Sequence, residues 1–287
     1  MTKILATVIF IGKFIAVIGR HLWFRLSTRL ASFRHRRTYQ PGPHPKNVVV
    51  VGASFAGYHT ARCLANSLPS GWRVVVIEKN SHFQLTWVLP RFSVVEGHDH
   101  KAFIPYSPYV DGPEGSYGWI HDAVKSIVPR GEGQKGGRVE LASGNSVNYE
   151  YLVMATGSSG ELPSRVGTES RKDGMNALRE QRERFNAAND IVVIGGGPAG
   201  VELAADAKSQ HPDKNVTLIH SHNTLLHDGF GLKIHRTIMA EMEKLGVKVV
   251  LGEKPPIPKG VSSGEIPLRN GSVKFDCLVS NPLKSYI

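Results

Sequence analysis

The sequence is poor in cysteine, which limits the redox and metal chemistry it can carry. Cys63 and Cys277 stand far apart in a chain of 287 residues, and no C-x-x-C or C-x4-C pair occurs. Neither a dithiol redox centre nor a zinc site made of paired cysteines can therefore be built. Cys63 falls in a predicted helix, and we expect it to be a small core residue.

Acidic residues are missing from the first quarter of the chain. Residues 1–77 contain eleven Lys and Arg but no Asp or Glu, whereas residues 78–287 contain 24 basic and 24 acidic residues. The formal net charge of +11 therefore belongs to the N-terminal end rather than to the body. A nucleic-acid-binding face would need an excess of positive charge on a folded domain, so nucleic acid is not an expected partner.

The N-terminal segment also lacks a long uncharged apolar run. Residues 4–24 are strongly apolar, but Lys13, Arg20 and His21 interrupt them and the longest uncharged stretch has nine residues. An ordinary membrane-spanning helix needs about 20. Three interpretations of this segment stay open. It could be a helix lying among lipid headgroups, a cleavable targeting peptide or a strained spanning anchor. We expect residues 1–37 to associate with a membrane, mitochondrial or on the cytoplasmic face of another organelle, and the proline-rich residues 38–46 to form a linker.

The sequence does contain a glycine-rich turn between a predicted strand and a predicted helix. Residues 190–206 are DIVVIGGGPAGVELAAD, and Gly195, Gly197 and Gly200 have the G-x-G-x-x-G spacing. The first glycine permits the turn, the second lets a pyrophosphate approach the backbone, and the third brings helix and strand together. The free N–H groups at the start of the helix favour a bound phosphate. The stretch therefore predicts a dinucleotide-binding site.

A second copy of this pattern lies upstream. Residues 47–57 are NVVVVGASFAG, in which Gly52 and Gly57 occupy the outer positions and Ser54 the middle one. In each copy a second strand follows, and it ends at Glu78 in the first and at His220 in the second, 26 and 25 residues after the first glycine. Two βαβ units of equal length, starting 143 residues apart, are therefore predicted.

The remaining sequence is less regular. Residues 97–118 are rich in Gly, Pro and Tyr and predict a long loop, and residues 149–157, YEYLVMATG, predict a strand entering a small-residue turn. Residues 265–280 predict a hairpin, and residues 281–287 fit no element. The histidines at positions 82, 98 and 100 do not form a convincing metal-binding pattern, so no metal site is expected.

The two glycine turns, the ATG turn between them and the GGGPAGVE segment together resemble the FAD-dependent pyridine-nucleotide oxidoreductases. The HFQLTWVLPR segment and the missing cysteine pair are similar to the apoptosis-inducing-factor-like branch, which includes the ferroptosis-suppressor type and is related to type II NADH dehydrogenases. The resemblance implies an α/β fold with two Rossmann-like domains. FAD would bind in residues 47–160 and NADH or NADPH in residues 161–287, and hydride would pass from nicotinamide to flavin.

The resemblance also implies roles for individual residues. Glu202 would lie near the nicotinamide and flavin rings as the catalytic residue, although a carboxylate in the first helical turns is also favoured by the helix dipole, by about 0.3–1 kcal/mol. FAD would be held by Gly52, Ala53, Ser54, Phe55, Ala56, Gly57, Glu78, Lys79, Arg91, Val124, Ala155, Thr156 and Gly157. NAD(P)H would be held by Gly195, Gly196, Gly197, Pro198, Ala199, Gly200 and His220.

The sequence departs from the family pattern in two places. His220 replaces the acid that would bind the ribose 2′-hydroxyl, so a 2′-phosphate meets no repulsion and NADPH should be tolerated. At the end of the chain, the C-terminal part of the FAD domain and the interface domain are expected to be missing. A catalytically impaired relative that retains only nucleotide binding is therefore the alternative to a full enzyme. Without a cysteine pair, a quinone, dioxygen or a one-electron carrier must accept the electrons. The apolar, basic N-terminal segment favours a membrane quinone or a similar acceptor.

Overall fold

The computed structural model describes residues 2–106, 110–158, 160, 162–226, 228–258 and 262–280. Residues 281–287, for which the sequence predicted no element, lie outside the described residues. The chain packs as two compact units, one of Met1–Lys79 with Ser107–Thr156 and one of Asn80–Tyr106 with Gly157–Ile287. The predicted division into domains near residue 160 stays a prediction, and Asn80–Tyr106 pack with the second unit.

The described residues form helices and strands in alternation. The helices are α1 (Thr2–Thr38), α2 (Phe55–Ala65), α3 (Leu89–Phe92), α4 (Asp99–Ala102), α5 (Arg171–Ala187), α6 (Pro198–Gln210) and α7 (Gly231–Leu245), with 3₁₀ turns at Thr86–Val88 and Asp228–Phe230. The strands are β1 (Lys46–Val51), β2 (Trp72–Glu78), β3 (His82–Gln84), β4 (Phe103–Pro105), β5 (Tyr117–His121), β6 (Val124–Pro129), β7 (Gly137–Leu141), β8 (Ser146–Tyr149), β9 (Tyr151–Met154), β10 (Asp190–Ile194), β11 (Asn215–Ile219), β12 (Lys248–Val250), β13 (Gly264–Leu268), β14 (Gly271–Phe275) and β15 (Cys277–Ser280).

The first unit contains a parallel sheet in the order β5-β2-β1-β9. At its centre Val51 pairs with Ile77 on one side and with Met154 on the other, so the three strands end at the same edge. Val49 and Val50 are fully buried. A strand covered on both faces needs apolar side chains in both directions, which explains the unbroken valine run.

The second unit repeats this arrangement with the order β12-β11-β10-β15. Ile194 pairs with Ile219 and with Ser280, at the positions that correspond to Val51, Ile77 and Met154. An antiparallel insertion precedes the last parallel strand in both units: β6-β7-β8 before β9, and the β13-β14 hairpin before β15. The prediction of two Rossmann-like α/β units is confirmed.

Several local predictions were wrong or incomplete. Residues 97–118 were predicted as a long loop, but they contain α4 and β4, and β5 begins at Tyr117 and extends the first parallel sheet. The predicted hairpin of residues 265–280 ends in β15, which instead joins β10 as a parallel strand. Cys63 is exposed on α2, whereas Cys277 is buried in β15. The amphipathic pattern did not place Cys63 because α2 has only three buried positions.

The N-terminal helix α1 carries an unusual amount of exposed apolar surface. Its side chains include Phe10, Phe14 and Trp23, exposed by 69%, 58% and 72%. By length and composition, one helix of the described chain, Leu5–Thr38, could cross a membrane. The predicted linker after it is fixed to the first unit, because the buried Tyr39 donates its hydroxyl to the carbonyl oxygens of Trp72 and Gly115, at 2.8 and 3.0 Å.

Candidate functional site

The first glycine turn connects β1 to α2 at the carboxyl edge of the first sheet. Gly52 has φ +91°, and a Cβ there would lie 2.5 Å from the carbonyl oxygen of Ala155. A Cβ on Gly57 would lie 1.9 Å from the carbonyl oxygen of Gly52. Neither position can carry a side chain without moving the backbone, so the start of α2 lies directly against the strand end.

The middle position of this turn carries a side chain instead of a hydrogen. Ser54 caps α2 with extended backbone angles, φ −78° and ψ −156°, and makes no capping hydrogen bond through its hydroxyl. Phe55 and Ala56, also predicted to bind the cofactor, form the exposed first turn of α2. The N-terminus of α2 therefore presents its backbone N–H groups beside a serine hydroxyl, a combination that suits a phosphate.

Glu78 joins the end of β2 to this turn. The residue is 5% exposed, and its Oε2 accepts the N–H of Ala53 at 2.5 Å. A carboxylate can accept several donors at once, which suits the ribose contact predicted for this residue. The next residue, Lys79, has an exposed side chain, and its carbonyl oxygen pairs with Nε2 of His121 at 3.0 Å.

The ATG turn brings a third piece of backbone to the same edge. Ala155 follows β9 and donates its N–H to the carbonyl of Val51 at 2.9 Å. Thr156 is exposed, and Gly157 has φ +67°. By contrast, Val124 at the start of β6 packs on the apolar core of this unit together with Val51. The structure therefore gathers Gly52, Glu78 and Ala155 and places Val124 in the core packing.

The second glycine turn has the same construction. Gly195 has φ +116° and donates its N–H to the carbonyl of Ile219 at 2.8 Å. A Cβ on Gly200 would lie 1.8 Å from the carbonyl oxygen of Gly195, whereas a Cβ on Gly197 would have no atom within 4 Å. Gly197 caps α6, whose first residues are Pro198 and Ala199. The open space at the middle position and the crowding at the third are what a pyrophosphate-binding turn requires.

His220 contacts this turn directly. Its Nδ1 accepts the N–H of Gly196 at 3.1 Å, and its ring stacks on His222 with centroids 5.2 Å apart. Burial lowers the pKa of His220 below its ordinary value, and His222 lowers it further, against the opposing effect of the backbone at Leu226 and Thr224. This hydrogen bond needs the neutral imidazole, because Nδ1 can accept only while it carries no proton.

Glu202 is exposed on α6. The sequence analysis missed a second carboxylate, which lies one helical turn further along the same helix. Asp206 accepts a hydrogen bond from Arg91 of α3, with Oδ1 and the guanidinium nitrogen 2.6 Å apart. Burial raises the pKa of Asp206, Arg91 lowers it, and Glu202 raises it again. The four-residue spacing places both carboxylates on one face of α6, but no sequence pattern could pair Asp206 with a residue 115 positions away.

The histidines considered for a metal site do not converge on one. His82 is fully buried with its ring edge-on to Phe103, and burial, followed by the charge of Arg171, lowers its pKa to about 4. Among the described residues, no group of three His, Cys, Asp or Glu side chains could hold a metal ion. His82 therefore belongs to the core of the second unit.

Comparison with known proteins agrees with this geometry. The family model described as pyridine nucleotide-disulphide oxidoreductase matches residues 46–279, which include both glycine turns. The chain belongs to this family. Fe-regulated protein 8 of Mycosarcoma maydis is 34% identical over 230 residues, covering 73% of this chain and 56% of that protein. Ferroptosis suppressor protein 1 of Xenopus tropicalis is 31% identical over 208 residues, covering 72% and 52%.

A solved structure shows the same fold. The sulfide:quinone oxidoreductase of Aquifex aeolicus superposes with a TM-score of 0.62 at 21% identity, covering 83% of this chain and 58% of that one. The sequence relatives therefore support the apoptosis-inducing-factor-like branch, and the solved structure supports the fold. This chain spans about half the length of the two curated relatives above.

Alanine at the middle and third glycines of the second turn should destabilise the protein to different extents. Gly200→Ala should destabilise the second unit by about 2 kcal/mol or more, because the new methyl group collides with a backbone oxygen. Gly197→Ala should cost less than about 1 kcal/mol, because its surroundings are open and its φ of −74° suits alanine. Urea denaturation of both variants measures the difference, and equal losses would contradict the crowding.

Proposed function

We propose that this member of the pyridine nucleotide-disulphide oxidoreductases binds FAD in its first unit and NADH or NADPH in its second. The observation that carries the proposal is the repeated glycine turn at the carboxyl edge of two sheets with the same strand order. Ligands of open α/β sheets bind at this edge. In this proposal residues 47–160 supply the FAD-binding domain and residues 161–287 the nicotinamide domain.

The first unit has the groups that the adenosine half of FAD needs. Gly52 and Gly57 clear the backbone around a pyrophosphate, and Ser54 adds a hydroxyl beside the N-terminus of α2. Glu78 accepts the N–H of Ala53, and we assign it the ribose because a carboxylate can accept several donors. Arg91, for which the sequence predicted a contact with FAD, lies in the second unit and pairs there with Asp206, so its role stays a prediction.

The second unit has matching groups for a nicotinamide dinucleotide. Gly197 leaves open space at the middle position, and the N-terminus of α6 supplies N–H groups to a pyrophosphate. Glu202 lies further along the same helix, and we assign it the predicted place near the nicotinamide ring. When bound, the flavin supplies the redox chemistry, taking two electrons from nicotinamide and releasing them to an acceptor.

A quinone-like molecule is the acceptor that the chain's own residues favour. Cys63 and Cys277 lie in different units, on α2 and β15, so neither unit offers a paired thiol to receive electrons. The exposed apolar surface of α1 would place the protein at a membrane, where apolar acceptors dissolve. We therefore propose the function that the sequence predicted, which is a membrane-associated oxidoreductase.

Flavin content and its reduction test this function. We expect the full chain, purified in detergent and supplied with FAD, to hold flavin and to lose its visible absorbance when NADH or NADPH is added without oxygen. Gly197→Ala should keep the flavin but bind NADH about tenfold more weakly, because its methyl group occupies the space for the pyrophosphate. Protein that binds NADH but never flavin would instead support the nucleotide-binding alternative.

The neutral side chain at His220 predicts that NADPH is accepted. We expect kcat/KM for NADPH to equal or exceed that for NADH in the native protein, because no carboxylate at this strand end repels a 2′-phosphate. His220→Glu should reduce the use of NADPH by about tenfold relative to NADH, whereas the neutral His220→Gln should not. Steady-state assays with both dinucleotides measure the ratio, and strong native selectivity for NADH would contradict this explanation.

The composition of α1 predicts membrane association that salt does not reverse. Cosedimentation with vesicles of neutral and anionic lipids should persist at about 1 M salt, where the Debye length is only about 3 Å and surface attraction is screened. Ile15→Lys should weaken binding, because it adds a charge where the helix is apolar and 63% of the isoleucine is exposed. Thr28→Lys, outside the apolar stretch, is the matched control. Complete release by salt would show that α1 binds only through its arginines.

A further inference from the structure

The structure makes Glu78 and His220 equivalent positions of the repeat. Gly52 donates its N–H to the carbonyl of Ile77, and Gly195 donates to that of Ile219. In each unit the side chain one position further along the strand accepts the next N–H of the turn. Ala53 donates to Glu78 at 2.5 Å, and Gly196 donates to Nδ1 of His220 at 3.1 Å.

The two acceptors respond differently to protons. A carboxylate accepts hydrogen bonds throughout the neutral range, whereas Nδ1 accepts only while it carries no proton. Protonation of His220 would turn this nitrogen into a donor aimed at the Gly196 N–H. The ring packs closely against the turn, because a Cβ on Gly196 would lie 2.7 Å from Cγ of His220 and 2.7 Å from Cδ2 of Leu225.

Several titratable or charged groups lie near His220, and of these His222 lowers its pKa. His222 stacks on its ring, and His235 of α7 accepts the N–H of Leu225 through Nδ1 at 3.0 Å. Glu253 donates its backbone N–H to the His220 carbonyl at 3.0 Å, while its carboxylate lies 4.0 Å from Arg269. Within the part of the chain that the structure describes, His220 is the residue of this group whose side chain hydrogen-bonds to the glycine turn.

We propose that His220 is a positioning residue that holds the second glycine turn in its nucleotide-accepting form only while its imidazole is neutral. Acid would then weaken dinucleotide binding at the second turn. This inference rests on the proposed function, since it concerns the nicotinamide dinucleotide that we assign to the second unit. It changes the predicted role of His220 from contact with the ribose to support of Gly196.

The direction of the pH effect follows from the burial of the ring. Burial, with His222 second, lowers the pKa of His220 in the folded protein below the ordinary 6.5. The contribution of this hydrogen bond to stability is therefore fully present above about pH 6.5 and is lost as the pH falls through the lowered value.

Calorimetric titration of the full chain with NAD⁺ at about pH 8 and about pH 5 tests the proposal. The dissociation constant of the native protein should rise by about tenfold in acid, as expected when one hydrogen bond is replaced by two facing donors. His220→Asn puts an amide oxygen near the position of Nδ1 and does not titrate, so its affinity should stay the same at both pH values. His235→Asn, which keeps the Gly196 contact, should retain the native pH dependence. His222→Asn should keep the acid-induced loss but shift it to higher pH, because His222 lowers the pKa of His220.

Hydrogen exchange of the peptide that contains Gly196 supplies a second readout without nucleotide. Relative to its intrinsic rate, this amide should exchange faster in acid in the native protein but not in His220→Asn. Native affinity that does not change with pH, or a pH dependence that persists in His220→Asn, would overturn the role of His220. Absence of NAD⁺ binding at every pH, with acid-dependent exchange intact, would overturn the proposed function instead.

Discussion

Steric crowding between two backbone segments determines how each unit presents its candidate site. In both turns the third glycine lies so near the carbonyl oxygen of the first that a Cβ would approach it within 2 Å. This contact fixes the start of the helix against the end of the strand, so the free N–H groups of α2 and α6 point toward the carboxyl edge of each sheet. The sheets supply the rigid support for this contact, since their central strands are buried and pair on both sides.

The same backbone arrangement is completed with different chemistry in the two units. Glu78 closes the first turn with a group that is charged and accepts hydrogen bonds, while His220 closes the second with a group that must be neutral to do so. A fixed negative charge suits ribose hydroxyls and opposes an extra phosphate, whereas a neutral ring has neither effect. One substitution at an equivalent strand end therefore accounts for both the expected tolerance of NADPH and the sensitivity to acid.

The sequence was sufficient to predict the features that depend on local backbone requirements. Runs such as residues 48–51 and 191–194 have few alternatives to buried parallel strands, and glycine spacing specifies the turns. Features that depend on distant partners were not predictable. The pairing of Arg91 with Asp206, the burial of Tyr39 and the entry of β15 into a parallel sheet all join segments that no periodic pattern links. Cys63 was misplaced for the same reason, because the buried face of a short helix depends on what packs against it.

The N-terminal helix follows a different physical rule from the body. The central strands of both sheets bury most of their apolar side chains, whereas in α1 the phenylalanines and Trp23 remain exposed along the helix. We propose that a lipid surface covers these side chains, because large apolar surfaces are seldom left in water and the helix is acid-free with basic residues in its last turn. Because Tyr39 fixes the end of α1 to β2 and to the segment before β5, any membrane that covers the helix also holds the first unit close to its surface. An acceptor dissolved in the bilayer would therefore stay near the unit to which we assign the flavin.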